Sequence, residues 1–278
     1  MKRGINVAFV ILIFGYAFLY IPIISVIAYS FNESELASTW GGFSLRWYGV
    51  LLEDRQVLDS LFLSIRIALV SATFATILGT CAGLALARYP KFKGRQLFGG
   101  MISSPLVMPE VITGLSLLLF FIALEGLIGW PSGRGVDTIT IAHITFSTAF
   151  VAVIIQGRLA GHDNSMEEAA QDLGARPFRV LIDITIPLLA PAMLAGWLLA
   201  LMLSFDDLVI SSFVSGPESN TLPMLIFSKV KLGVKPDINA LASMIIGVVF
   251  LGVIAAALLV RHNERREIHD RMLTRTTD

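Results

Sequence analysis

The chain has 278 residues, of which 55% are hydrophobic and only 15% charged, with 21 basic and 21 acidic side chains summing to zero. Soluble globular chains carry about 25% charged residues, so this composition, with a mean hydropathy of +0.75, leaves too few charges to cover a water-facing surface. The balance excludes a basic nucleic-acid binder and a strongly acidic chain, and a single cysteine, Cys81, permits neither an intrachain disulfide nor a cysteine metal cluster.

A bilayer-spanning helix needs about 20 predominantly apolar residues. Runs free of Asp, Glu, Lys and Arg occur at residues 5–31, 67–87, 138–157, 184–205 and 238–260, and a sixth, 96–124, is interrupted only by Glu110. The fold class read from these runs is an all-α integral membrane protein with six transmembrane helices. The first run is too long for a signal-peptide core and ends in Tyr29-Ser30-Phe31 without a small-residue cleavage site, so it reads as a retained helix. Residues 32–59, with Trp40, Trp47 and Tyr48, read as a short interfacial excursion. A transmembrane β-barrel would instead show alternating segments of about ten residues.

Six spans put both termini on one side. With the termini in the cytoplasm, 14 of the 21 Lys and Arg fall in inside segments, including Lys2, Arg3, Arg88, Lys91, Arg158, Arg176 and Arg261. Six fall outside, among them Arg46, Arg134 and Lys229, and Arg66 lies near the outer end of the second span. The positive-inside rule therefore predicts cytoplasmic termini. The expected organisation is a first helix with a short outside segment (1–57), a main body of spans (58–262) containing a cytoplasmic loop at 158–187, and a basic tail (263–278).

Three carboxylates interrupt the apolar pattern: Glu110 in the third span and the pair Asp206-Asp207 near the outer half of the fifth. A charged residue at mid-membrane costs about 2.5–3.5 kcal/mol on insertion scales, against about 0.3–0.6 recovered per aliphatic residue. One reading is that they are interfacial, or paired with Arg66; the other is an aqueous pathway lined by negative charge. Pro105 and Pro109 stand directly before Glu110, so the third helix is expected to be kinked or broken there. Such backbone is tolerated at membrane depth only where protein or a water-filled cavity surrounds it.

In the cytoplasmic loop, Ser165-Met166-Glu167-Glu168 has the form of a capping box, with Glu168 reaching back to the first amide of a helix. Met166, Ala169, Ala170 and Leu173 follow as a narrow apolar stripe, and Gly174 stands where a left-handed C-terminal cap belongs. Pro177 suits the first turn of a second helix over residues 178–186, which Pro187 leads into the fifth span. The stripe suits docking to another surface; the plainer reading is a helix packed back on its own bundle.

Glu168-Ala169-Ala170, then Gly174, then Ile184-Thr185-Ile186-Pro187 resemble the EAA signature of permease subunits of bacterial binding-protein-dependent ABC importers, with Ile186 where that family more often has leucine. The resemblance implies a type I ABC importer permease fold in which this helix is the coupling helix, received by a cleft of an ATPase subunit. Glu168, Ala169, Ala170 and Gly174 carry that role over.

A narrower resemblance rests on Phe43-Ser44-Leu45-Arg46-Trp47-Tyr48, Pro105 to Gly114, Ser204-Phe205-Asp206-Asp207, Thr221-Leu222-Pro223-Met224 and Pro236 to Ala240. These resemble the spermidine/putrescine-type permeases, and among them the second permease subunit of a putrescine importer. The resemblance implies that Trp47, Glu110, Ser204, Asp206 and Asp207 serve substrate passage; at Glu110 relatives carry aspartate in some cases. It further implies a multi-pass inner-membrane subunit working with a homodimeric ABC ATPase that binds ATP and Mg, a second homologous permease and a periplasmic polyamine-binding protein. No cofactor bound by this chain itself and no nucleic-acid partner are expected.

The chemistry agrees with a polyamine. A diammonium substrate sheds water to cross, and fixed carboxylates along the path replace its hydration. Trp47 could present a ring face to an ammonium, although an interface-belt tryptophan is the more ordinary reading. No Lys follows a Gly, so a Gly-Lys-Ser/Thr phosphate loop is absent and the chain does not hydrolyse ATP by itself. A proton-coupled secondary transporter using Glu110, Asp206 and Asp207 as a relay explains the acids equally well, but leaves the capped cytoplasmic loop without a purpose. An intramembrane enzyme is the third class: Asp206 with Glu110 could imitate an aspartyl dyad, or His143 serve as a metal ligand. His143 stands alone at mid-span, with His162, His262 and His269 in cytoplasmic segments, so it reads as a satisfied buried histidine, and Cys81 as packing.

Overall fold

The computed structural model describes residues 7–36, 39–161, 163, 165–233, 235–252 and 254. Twelve helices follow in chain order: α1 (Val7–Tyr29), α2 (Arg46–Glu53), α3 (Arg55–Arg88), α4 (Arg95–Val107), α5 (Glu110–Ile128), α6 (Val136–Ala160), α7 (Ser165–Asp172), α8 (Pro177–Val180), α9 (Ile186–Phe205), α10 (Val209–Val214), α11 (Leu222–Leu232) and α12 (Pro236–Gly252). A π-helical turn, Leu181–Thr185, joins α8 to α9. The described residues fall into two compact units, one formed by those up to Arg55 together with those from Ser228 onward, the other by Gln56–Phe227.

Among the described residues, five helices are long and apolar enough to cross a membrane: Phe9–Tyr29, Arg55–Arg88, Glu110–Ile128, Val136–Ala160 and Pro177–Phe205. Four of them cover the charge-free runs 5–31, 67–87, 138–157 and 184–205, and Glu110–Ile128 takes the second part of the run 96–124. Over the sixth expected span, 238–260, the described residues form the shorter apolar helix α12; residues 253 and 255–260 lie outside the described residues, as does the basic tail 263–278. The run 96–124 is divided. Met108 and Pro109 take extended conformations between α4 and α5, because Pro109 cannot donate to the helix and disfavours helical backbone at Met108.

In the larger unit, α6 is the central helix. Gly79 and Gly83, one turn apart on α3, let the two backbones approach: a Cβ on Gly79 would stand 2.6 Å from Val151 Cβ, and one on Gly83 2.8 Å from Ile155 Cβ. Small residues one turn apart are how helices pack closely where lipid gives no hydrophobic drive to associate. Two cores result. Ile67, Phe121, Ile139, Phe146 and Ile210 join α3, α5, α6 and α10, while Ala72, Ala75, Val151, Ile155 and Leu189 join α3, α6 and α9. Polar ties stitch the same helices: Thr138 Oγ1 donates to Val214 O at 2.7 Å, Ser71 Oγ to Thr140 O at 3.2 Å, and the Leu222 amide to Ser64 Oγ at 2.7 Å. Cys81, read from sequence as packing, is instead exposed; the closely packed face of α3 is the Gly79 and Gly83 face.

In the smaller unit, α1 is apolar on all sides and exposes Phe9, Ile11, Phe14, Phe18 and Ile24, as a helix surrounded by lipid does. Beyond it, Ser30 Oγ and Tyr48 Oη share a hydrogen bond of 2.7 Å, and the side-chain amide of Asn32 donates to Thr39 O. Lys229 Nζ donates to Asp54 Oδ2 at 2.9 Å and Asp237 Oδ2 at 3.2 Å.

Candidate functional site

The acid pair sits at an elbow between helices. The fifth span stops at Phe205, one residue before Asp206, so the pair lies beyond α9 rather than within it; Asp206 is its C-terminal cap residue, with its amide donating to Met202 O. Asp207 then starts α10: its Oδ1 accepts from the Ile210 amide at 3.2 Å and its Oδ2 from the Ser211 amide at 2.7 Å. Carboxylates are favoured at helix N-termini and disfavoured at C-termini. Asp207 therefore stabilises its helix, whereas Asp206 occupies the unfavourable end of α9 and is exposed. Among the described residues the Asp206 carboxylate has no ion pair.

His143 of α6 reaches into this elbow and is 2% exposed. Its Nδ1 lies 2.6 Å from Ser204 Oγ, and its Nε2 lies 3.1 Å from both Asp207 Oδ2 and Ser211 Oγ. The satisfied buried histidine foreseen from sequence is thus present, and its partners are two of the expected path residues, Ser204 and Asp207. Ser204, Asp207 and Ser211 are spaced by three and four residues, a helical spacing of polar groups that was the available sequence signal for a common partner.

Glu110 is the first residue of α5, exposed, and in the helix's first turn, where the dipole favours a carboxylate. It stands one turn before Gly114, at which α5 meets α10 so closely that a Cβ would come 2.7 Å from the Phe213 ring and 3.3 Å from Ile210 Cα. No ion pair joins Arg66 to Glu110, Asp206 or Asp207 among the described residues. Trp47 belongs to the other unit. It is 7% exposed, its indole N–H donates to Asn32 O at 2.7 Å, and the cation over its ring is the chain's own Arg46, at 5.2 Å.

The loop at 158–187 folds as a helix, a left-handed turn and a second helix. Gly174 has φ +87°. Its amide donates to Gln171 O at 2.9 Å, and that of Ala175 to Ala170 O at 3.0 Å, the paired bonds of a Schellman cap. Arg176 is extended, and Pro177 opens α8. Leu173 is 90% exposed, and Met166 and Ala169 are also exposed, so most of the stripe is free rather than packed back on the bundle.

Two details of the loop differ from the sequence reading. The capping box does not form: α7 is already helical at Ser165, whose amide donates to Asp163 Oδ1 at 3.1 Å, and Glu168 points outward, exposed. It is Glu167 that turns inward, accepting from Arg88 Nη2 at 2.7 Å and from Thr185 Oγ1 at 2.9 Å. The second helix also does not end at Ile186. It runs on as one helical segment, Pro177–Phe205, through a π turn in which the Ile186 amide reaches Leu181 O. Pro187 has no amide to offer Asp183 O and its ring crowds that carbonyl; the widened turn relieves the clash.

Residues 79–269 match the family described as binding-protein-dependent transport system inner membrane component. Over 258 residues, 92% of each chain, the sequence is 54% identical to the putrescine transport system permease protein PotI of Escherichia coli (strain K12). It is 41% identical over 255 residues, 92% of this chain and 94% of the relative, to the spermidine/putrescine transport system permease protein PotC of the same strain. The fold resembles a chain of a bacterial ABC transporter involved in the import of the acidic polysaccharide alginate, with TM-score 0.69, 19% identity, and coverage of 92% of this chain and 94% of that one. An all-helical chain with apolar spans, an exposed Schellman-capped knob and relatives this similar belongs to the family of binding-protein-dependent transport system inner membrane components.

Proposed function

We propose that this chain is a permease subunit of an ATP-driven importer that moves polyamines, putrescine first and spermidine second, across the inner membrane by alternating access. The observation that carries the substrate class is the 54% identity, across nearly the whole chain, to a putrescine transport permease. The geometry supports it: Asp206 and Glu110 are exposed carboxylates without ion pairs among the described residues, available to replace water around a diammonium ion. Six spans with cytoplasmic termini complete this reading. So does the division into a first helix and periplasmic segment, a permease domain at 58–262 and a basic tail.

The chain contributes no ATP hydrolysis. A homodimeric ABC ATPase binds ATP and Mg and receives α7 through Glu168, Ala169, Ala170 and the turn at Gly174. A second permease supplies the other half of the cavity, and a periplasmic binding protein delivers the substrate. Closure of the ATPase pair draws on the two coupling helices and exposes the acids first outward, then inward. Trp47, Ser204 and Asp207 remain part of the proposed path, with Trp47 released from Arg46 or using its other ring face. Family membership leaves the proton-coupled alternative without support.

The test is uptake of labelled putrescine and spermidine by cells that depend on this transporter. Putrescine uptake should require both this subunit and an intact ATPase phosphate loop. Uptake that persists without ATPase activity and follows the proton gradient would overturn the reading.

A further inference from the structure

The structure assigns His143 as the positioning residue of the acid elbow, fixing Asp207 and Ser204 so that Asp206 is the carboxylate left free to meet the substrate cation. This deepens the polyamine reading and rests on it. Nothing in the family signatures marks this histidine, which lies on a different helix, about sixty residues earlier in the chain.

The hydrogen-bond inventory determines how the elbow is built. An ionised carboxylate can only accept, and Asp207 Oδ2 faces both the Ser211 amide and His143 Nε2. Nε2 must therefore carry a proton and donate it. On the other side of the ring, Ser204 Oγ, itself buried, shares a hydrogen bond of 2.6 Å with Nδ1, so the imidazole is held at both nitrogens. Asp207 then holds three donors: two amides of α10 and the imidazole of α6. Its carboxylate is occupied, its helix start is locked to α6, and the adjacent Asp206 is held on the opposite, exposed side of the elbow. The described side chains hydrogen-bonded to the ring are Ser204 of α9, Asp207 of the elbow and Ser211 of α10. Asp207 is the only charged group among them.

Glutamine and asparagine separate this role from simple packing. The amide of Gln reaches about as far as Nε2 and can still donate to Asp207, whereas the shorter Asn places its amide near Nδ1 and cannot; Leu removes both functions. In cells producing the whole transporter, putrescine uptake at matched membrane levels should fall about tenfold or more in His143→Leu and His143→Asn, and by about threefold or less in His143→Gln. In an Asp207→Asn background, His143→Leu should add less than about a twofold further loss, the non-additivity of residues acting as one unit. Equal loss in the Gln and Asn variants, or full additivity with Asp207→Asn, would overturn the assignment. If His143→Leu does not accumulate in the membrane, the Gln and Asn pair carries the comparison, being alike in polarity. The wild-type protein is the control for the underlying reading: absence of putrescine uptake there rejects the polyamine function, whereas normal wild-type uptake with an unaffected His143 series rejects only the role of His143.

Discussion

Two adjacent acid pairs, Glu167-Glu168 on α7 and Asp206-Asp207 at the α9–α10 elbow, are built alike and used differently. In both, one carboxylate turns inward and is bound while its neighbour is exposed. Glu167 meets Arg88, a permanent cation, at 2.7 Å together with the Thr185 hydroxyl. Asp207, 8% exposed, meets His143 and two amides. The inward acid is thus tied to an arginine at the loop 158–187 and to a histidine and two backbone amides at the elbow. The outward acids, Glu168 and Asp206, are the ones placed to meet something outside the chain. A pair of acids in a membrane protein therefore does not report two copies of one function: one member anchors and the other presents.

The sharpest test of this division is Asp206→Asn. It should reduce putrescine uptake by about tenfold or more while the subunit reaches the membrane in normal amount, since it removes a charge that nothing in the fold requires. Unchanged uptake would break the division at the elbow. Gly174→Val should also abolish uptake and weaken co-purification with the ATPase, because a β-branched residue at φ +87° costs about 1–2 kcal/mol and disrupts the cap that shapes the knob. Asp207→Ala should act on the fold as well as on uptake, lowering the stability of the detergent-solubilised complex by about 3 kcal/mol, by leaving the imidazole and two amides without their charged acceptor. A smaller contrast is expected on α7. Glu167→Gln should destabilise by about 1 kcal/mol and Glu168→Gln by nothing measurable, and thermal unfolding of the two variants side by side would show a reversed order if the sequence-based capping box operated.

The smallest effect concerns Lys229 in the other unit. Partial burial works against its charge, but hydrogen bonds and attraction from Asp54 and Asp237 outweigh it and hold the ammonium above its ordinary value of 10.5. A cation whose folded pKa is raised contributes stability that is complete below the unfolded value and is lost as pH rises through the folded one. Alkaline unfolding above pH 10.5 should therefore be less steep in Lys229→Met than in the wild type, and identical profiles would show that the cluster contributes nothing.

Much of the architecture was legible in the chain. Apolar runs located the five long helices, Pro109 located the break before Glu110, and Gly174 with Pro177 located the turn of the loop at 158–187. These are local signals, set by backbone chemistry and by the cost of charge in lipid. The errors were of one kind. Glu168 was given a capping bond that does not form, Glu167 was given no partner, and Cys81 was placed in a packed face. Each mistake depended on which way a side chain points or on what lies across from it.

By itself, then, the sequence determined composition class, the approximate positions of the apolar helices and the two family signatures, because apolar run length, proline and glycine act within a few residues of where they stand. The tertiary structure alone decided which acid of each pair is bound, since Arg88, Thr185 and His143 reach those acids from helices distant in sequence. Burial makes that choice consequential. A carboxylate out of water requires donors, those donors come from elsewhere in the fold, and the carboxylate without them remains available to a partner or to a cation.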